Sequence, residues 1–382
     1  MINAFRGLSI RLAGWSEELR ENGLRWFLHR VWLDAGELLF GAWKAKDTLV
    51  AFYDLAFSPA HFDFVNFLIL AEIHRRRSGC RALHIVIVPG PHEGFDGHKP
   101  RERNDQGVEN LRWRLRHVLV PCSWLMPSCR QVSVLGSRDQ ARLLAASFAG
   151  RIFPRRYSIH RRIKCHLSNR VMKAVPNESM PSLAATPQAL FHVEQWMKRV
   201  VGGRKLIVLS LRECSYSRPR NSSKKDWAAF ARGLDPAVYF PVIVRDVEAG
   251  LDPLSEDFEG ITALHEIAWN MELRMALYEK AYLNLFVTNG PGILAYYNRK
   301  ARYLVFKILN EECGITRGWS KKNFGTDLGQ DWPTATPFQK FVWDEDRLEV
   351  IQEAFKEMCE KIESSNGAAA PFTPVASPAG GG

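Results

Sequence analysis

The chain contains no apolar run of the roughly 18–20 residues needed to cross a bilayer. Its N-terminus has no compact apolar segment followed by a small-residue cleavage site, which excludes a secretory signal and points to the cytoplasm. Seven cysteines form no regular framework and no C-x-x-C pair, which fits a reducing compartment. Cys122 and Cys129 lack the matching pair that a structural zinc needs. There is no G-x-G-x-x-G, so a dinucleotide fingerprint is not supported. No internal repeat of fixed short period occurs, and no recognisable nucleic-acid module, which argues against nucleic acid as the partner. No D-x-D stands where it would hold a divalent ion. Its nearest approach, Asp344-Glu345-Asp346, reads as the first turn of a helix, where acidic residues suit the dipole.

What is present describes a soluble globular protein of two domains: 382 residues, 46% hydrophobic and 24% charged. The formal charge of +11 favours anionic partners. Much of the excess lies at residues 101–116 and 151–170, and two readings stay open there, a solvated basic face or an anion-binding one.

Residues 1–46 interleave Trp15, Trp26, Phe27 and Trp32 with Arg11, Arg20, Arg25 and Arg30 at roughly helical spacing. Such a segment packs on its own domain or lies on an anionic membrane face, a peripheral contact that stays open. A strand at 48–53, an apolar helix at 62–77 and a strand at 82–88 make a βαβ unit, hence a parallel sheet. A helix at 109–116, short strands at 118–121 and 131–135 and a helix at 139–148 complete a Rossmann-like domain over residues 1–150. Residues 151–200 read as a basic linker and helix, with Pro187 in the first turn. A second α/β domain spans 201–343, a helix 344–363, and a Gly-, Ala-, Pro- and Ser-rich tail with no capacity for a core 364–382.

The second domain organises the chain. Its apolar runs 206–211, 240–244 and 282–287 each end in a polar or glycine-rich turn, and a parallel sheet binds ligands at such carboxyl ends. Arg212 follows the first run directly, where a guanidinium can hold a diphosphate bidentately or pair with Glu213 or Asp246. Arg218, Arg220 and Asn221 lie in the loop that follows, to close over phosphate or to face solvent. Asp246 and Glu248 end the second run, where a carboxylate can accept from a ribose or base. After the third run, Asn289-Gly290-Pro291-Gly292 leads into a helix. Glycine there permits close approach to a phosphate, and also marks an ordinary strand-to-helix turn. Arg274 and Glu279, on the preceding helix, suit an internal ion pair.

Over about residues 200–300 this pattern resembles the GT-B class of sugar-nucleotide glycosyltransferases that build bacterial surface polysaccharides. Leu209-Ser210-Leu211-Arg212 is similar to the strand-then-arginine step of the fucosyltransferase-like branch, and Thr288-Asn289-Gly290-Pro291 to the Gly-Pro turn of heptosyltransferases. The resemblance implies an α/β fold of two Rossmann-like domains facing a cleft, with the last helix returning to the first domain. It also implies a metal-independent hexosyl- or fucosyl-type transferase with no cofactor, a nucleotide-sugar donor in the second domain and a glycan acceptor in the first. Arg212 and the Asn289 turn would hold the donor. An inverting transfer needs a general base from the first domain's strand ends. Asp54, His61, His92, Glu93 and Asp96 qualify, and His92 with Glu93, beside Pro89-Gly90-Pro91, is the preferred pair. A nucleic-acid-binding protein, a non-catalytic nucleotide-binding scaffold and a nucleotide-sugar epimerase are the alternatives.

Overall fold

The computed structural model describes residues 47–95, 100–148, 150–174, 180–215, 217–247, 249–250 and 252–367. The segment 1–46, Asp96, Glu248 and the tail from 368 lie outside the described residues. Two parallel sheets with covering helices form the expected α/β, two-domain layout. Among the described residues no helix is long and apolar enough to cross a membrane.

The first sheet has the order β3-β2-β1-β4, all parallel. Its strands are β1 (Thr48–Asp54), β2 (Ala82–Val88), β3 (Cys129–Val134) and β4 (Ile152–Phe153). β1 and β2 run in register from Thr48↔Ala82 to Asp54↔Val88. Both are near-continuous apolar runs because helices cover both faces of the sheet. The crossover helix α1 (Phe64–Arg77) buries every residue from Phe64 to Ile73 and ends in His74-Arg75-Arg76-Arg77, cations that suit a helix C-terminus. The edge strand β4 comes from the stretch read above as linker.

The strand expected at 118–121 is helical instead. α2 (Pro100–Arg114) passes through a π turn (Leu115–Leu119) into α3 (Val120–Trp124). Val118, Leu119, Cys122, Leu125 and Met126 are buried at three- and four-residue intervals, a helical face that a four-residue apolar run does not reveal. α4 (Arg138–Ser147), capped by Ser137 and Gln140, covers the other face of the sheet, and α5 (Ser168–Ala174) and α6 (Pro187–Trp196) lead to the second domain.

The second sheet has the order β10-β9-β8-β5-β6-β7, again all parallel. Its central strands are β5 (Lys205–Ser210), β6 (Tyr239–Val244) and β8 (Leu283–Val287). β7 (Thr262–Ala263) lies at one edge, β9 (Tyr303–Phe306) and β10 (Gln339–Phe341) at the other. Strand order reverses between β5 and β8. That reversal opens a crevice at the carboxyl end of the sheet, where ligands of open α/β sheets bind.

Four helices complete this domain before the last: α7 (Lys224–Gly233), α8 (Met271–Lys280), α9 (Gly292–Tyr296) and α10 (Arg317–Phe324). The closing helix α11 (Leu348–Gly367) begins and ends four residues later than expected, so Asp344-Glu345-Asp346 precedes it rather than forming its first turn. Ile351, Ala354, Phe355, Met358 and Ile362 join Trp227 and Phe230 in the second domain's own core, and Phe355 meets Phe230 edge-on at 5.2 Å.

The two domains share one continuous core that includes Phe62, Phe64 and Phe67 of the first and Met271, Met275 and Tyr297 of the second. A buried polar latch crosses the same boundary. The Tyr297 hydroxyl donates to Asn66 Oδ1 at 2.8 Å, and Asn66 Nδ2 donates to the His166 carbonyl at 3.0 Å. Gly290 lies directly under the Phe62 ring: a Cβ there would stand 2.6 Å from Phe62 Cδ2. Overpacking of this kind costs about 2 kcal/mol. Gly290→Ala should therefore lower stability in urea unfolding by about that amount. Phe62→Ala costs about 3 kcal/mol through its cavity, and the double variant should lose less than the sum, because the new methyl enters the vacated space. Strict additivity would mean that the two positions do not pack on each other.

Candidate functional site

A buried arginine lies beneath the carboxyl ends of β5 and β6. Arg274 on α8 is 0% exposed. It does not pair with Glu279, as expected from the sequence. Its Nε donates to the Tyr278 hydroxyl (3.0 Å), Nη1 to the Ala268 carbonyl (3.0 Å), and Nη2 to the Arg245 carbonyl (2.9 Å) and Ser210 Oγ (3.3 Å). Glu279 instead accepts from the Ala185 amide and Asn298 Nδ2, each at 2.7 Å. A cation held by neutral dipoles keeps its positive potential close beneath the strand ends.

Above it, the loop after β5 is folded back on itself. The Arg212 amide donates to Ser222 Oγ (2.9 Å), and the Arg212 carbonyl accepts from the Ser222 amide (3.1 Å). Asn221 closes the next rung through Oδ1, which accepts from the Cys214 amide (3.1 Å), and Nδ2, which donates to the Cys214 carbonyl (2.9 Å). Asn221 is thus a clasp within the loop, with both ends of its amide used there. Arg212 is 3% exposed, fixed at the carboxyl edge where its place after the apolar run puts it. Arg218 is exposed on a 3₁₀ turn (Arg218–Arg220), its Nε donating to the Ser215 carbonyl at 3.3 Å. Arg220 reaches across the crevice and donates from Nη2 to the Thr288 carbonyl at 3.2 Å. Three of the expected cations therefore converge on one loop and one neighbouring strand end.

The turn after β8 is tied to β5 by Asn289. Its Oδ1 accepts from the Gly292 amide (2.8 Å), and its Nδ2 donates to the Ser210 carbonyl (3.4 Å). α9, which follows, is only five residues long. Gly290 is required by the Phe62 ring above it, a reason the sequence did not show. Pro291 precedes the helix as its N-cap residue.

Two expected ligand or ion-pair carboxylates are used by the scaffold. Asp246, 6% exposed, accepts from the Val247 amide (3.0 Å) and lies 3.1 Å from Cys214 Sγ. Glu213 binds Arg245 at 2.6 Å and Lys224 at 3.0 Å. Asp346 of the acidic triplet takes the Ser223 amide and the Trp227 indole N–H, each at 2.8 Å, so it braces the start of α7. Among the described residues no group of three His, Cys, Asp or Glu side chains could hold a metal ion.

In the first domain, Asp54 at the end of β1 is consumed structurally. Arg138 binds it with both nitrogens (2.7 and 3.0 Å), and the Tyr157 hydroxyl and Ala56 amide add 2.8 and 3.0 Å contacts. His92 and Glu93 sit exposed on a tight hairpin, Gly90 to Phe95, at the end of β2, with Glu93 3.7 Å from Arg112. Glu93 is thereby joined to α2. The first-domain residue brought against the Asn289 turn is Phe62, which stands between His61 and Asp63 in the chain. His61 Nδ1 accepts from the Asp63 amide at 3.2 Å and stands 3.8 Å from the Asp63 carboxylate. Asp63 is the N-cap residue of α1, yet its side chain makes no capping hydrogen bond. Asp63 was passed over in the sequence because it falls inside the helix expected at 62–77, whereas the helix begins at Phe64.

Burial pushes the Glu213 carboxyl up, but hydrogen bonds from Arg245 and Lys224 outweigh it and hold the group below its usual value of 4.5. A lowered folded-state value means that the stability it contributes is complete above about pH 4.5 and is lost as pH falls through the folded value. Glu213→Gln should flatten the acid limb of a stability-versus-pH curve measured by urea unfolding. An unchanged limb would show that other carboxylates set it.

No family model and no curated protein matches the chain. Among solved structures it is similar to the Escherichia coli ADP-heptose LPS heptosyltransferase II at 10% identity and a TM-score of 0.48, covering 83% of this chain and 99% of that one. It is also similar to a family 9 glycosyltransferase from Veillonella parvula at 9% identity and a TM-score of 0.41, covering 84% and 96%.

Proposed function

We propose that the protein is a glycosyltransferase that moves a sugar from a nucleotide-sugar donor at the β5/β8 crevice to a hydroxyl acceptor presented by the first domain. One observation carries this reading. The Phe62–Gly290 contact brings the first-domain loop that carries His61 and Asp63 against the turn after β8, in the domain whose β5 loop carries Arg212 and Arg220.

The chemistry has three requirements, and each has a residue. Arg212, Arg218 and Arg220 supply positive charge to the diphosphate, most strongly as charge develops on the leaving nucleotide. The Asn289-Gly290-Pro291 turn shapes the crevice beside them. Asp63, steadied by His61, takes the acceptor hydroxyl's proton as that oxygen attacks the sugar's anomeric carbon and the bond to the diphosphate breaks. His92 and Glu93 then serve the acceptor's far side rather than the proton.

The test is kinetic. Calorimetry against a panel of nucleoside diphosphates and their sugars should give saturable binding to one nucleotide, weakened at least tenfold in Arg212→Ala. Asp63→Asn should leave that affinity within twofold and lower kcat by about 10²–10⁴, and EDTA should change neither. Binding without transfer would make the protein a nucleotide-binding scaffold. Silence across the panel would overturn the proposal, and a kcat loss in His92→Ala but not Asp63→Asn would move the base to the hairpin.

A further inference from the structure

A cavity of about 1000 Å³ lies outside the crevice, beside the edge strand β4. Its lining carries Arg77, Arg142, Arg155, Arg156, His74 and His160 and, among the described residues, no aspartate, glutamate or lysine. His74 and Arg77 end α1, whose opposite end carries the Phe62 contact, so the cavity stands about 20 Å from the crevice at 1.5 Å per helical residue.

We infer that this cavity is a second binding site, for a chain of closely spaced phosphate groups. Four arginines from three separate segments converge on it, and guanidinium forks suit phosphate oxygens bidentately where an ammonium acts as a point charge. Arg155 and Arg156 make no side-chain hydrogen bond or ion pair among the described residues, while Arg142 has a half-exposed contact with Asp139 at 3.1 Å. The concentration of charge is felt by His74, whose imidazole is held below its usual 6.5 by burial and by the neighbouring Arg155 and Arg77.

Like-charged side chains around a cavity repel one another, and an oligoanion relieves that repulsion at the moment it binds. The volume is that of a full ligand site rather than of a single ion. Base stacking is not provided for. Among the described residues the one Phe, Tyr or Trp ring in the lining, Tyr157, is 7% exposed and stacked on Phe52 at 4.4 Å, so single-stranded nucleic acid finds no aromatic platform there. The ligand chemistry is therefore that of a phosphorylated glycan or a free oligophosphate.

The experiment is a titration of the full chain, followed by anisotropy and by NMR of the His74 ring, against four probes. They are tripolyphosphate, a phosphorylated mannan oligosaccharide, an oligogalacturonate and a single-stranded oligonucleotide of equal charge. Binding of tripolyphosphate or the phosphosaccharide should shift the His74 resonances and fall at least tenfold in Arg155→Gln/Arg156→Gln, two exposed positions whose loss leaves the core intact. The tighter of the two probes identifies the source of the phosphates. Nucleoside-diphosphate binding at the crevice should be unchanged in that variant, which separates this site's failure from failure of the transferase reading. No binding, unchanged binding in the double variant, or equal or tighter binding of the oligonucleotide or oligogalacturonate would each overturn the proposal. Arg142→Gln, on a different element, provides the second variant and should cost a further severalfold.

Discussion

The contact between the Phe62 ring and the bare backbone of Gly290 fixes the relation of the two domains. Each sheet alone would offer a carboxyl-end crevice of ordinary kind. With that ring seated, the first loop of one domain faces the switch point of the other, and the continuous apolar core behind it holds the approach. The Tyr297–Asn66–His166 latch adds direction to what burial alone leaves unoriented, since buried polar groups must find their partners in one arrangement.

Charge is distributed around that contact in two manners. Some groups are spent on the scaffold: Asp54 on Arg138 and Tyr157, Glu213 on Arg245 and Lys224, Asp346 on Trp227 and Ser223. Others keep their potential available to a ligand. Arg274 is wholly buried with carbonyl and hydroxyl partners at the ends of the central strands. The arginine-lined cavity beside β4 shows the same arrangement at the far end of α1, where positive charge is gathered with no acid among the described lining residues.

The parts of this account that follow a period were legible in the sequence. The apolar runs at 240–244 and 282–287 appear as β6 and β8, displaced by a single residue at their starts, and an arginine directly after a strand must sit at the sheet's edge. The parts that depend on distant partners were not. Nothing local says that Gly290 exists for an aromatic ring of the other domain, or that Asn221 folds its loop rather than a ligand. The run at 118–121 is too short to distinguish a strand from a buried helical turn. Asp63 falls inside the run read as helix, yet it stands just before α1. The basic stretch at 151–170 could not show that two of its arginines line a cavity, because that depends on α1 and α4 arriving from elsewhere.

The most direct test of the central claim is hydrogen–deuterium exchange of the whole protein with and without a saturating nucleoside diphosphate. Ligand seated at the facing loops should slow exchange in residues 212–223 and 288–292 together with 61–66, three segments far apart in sequence that the Phe62 contact brings together. Protection confined to other segments, or to the second domain without 61–66, would contradict the claim that the two domains form one site.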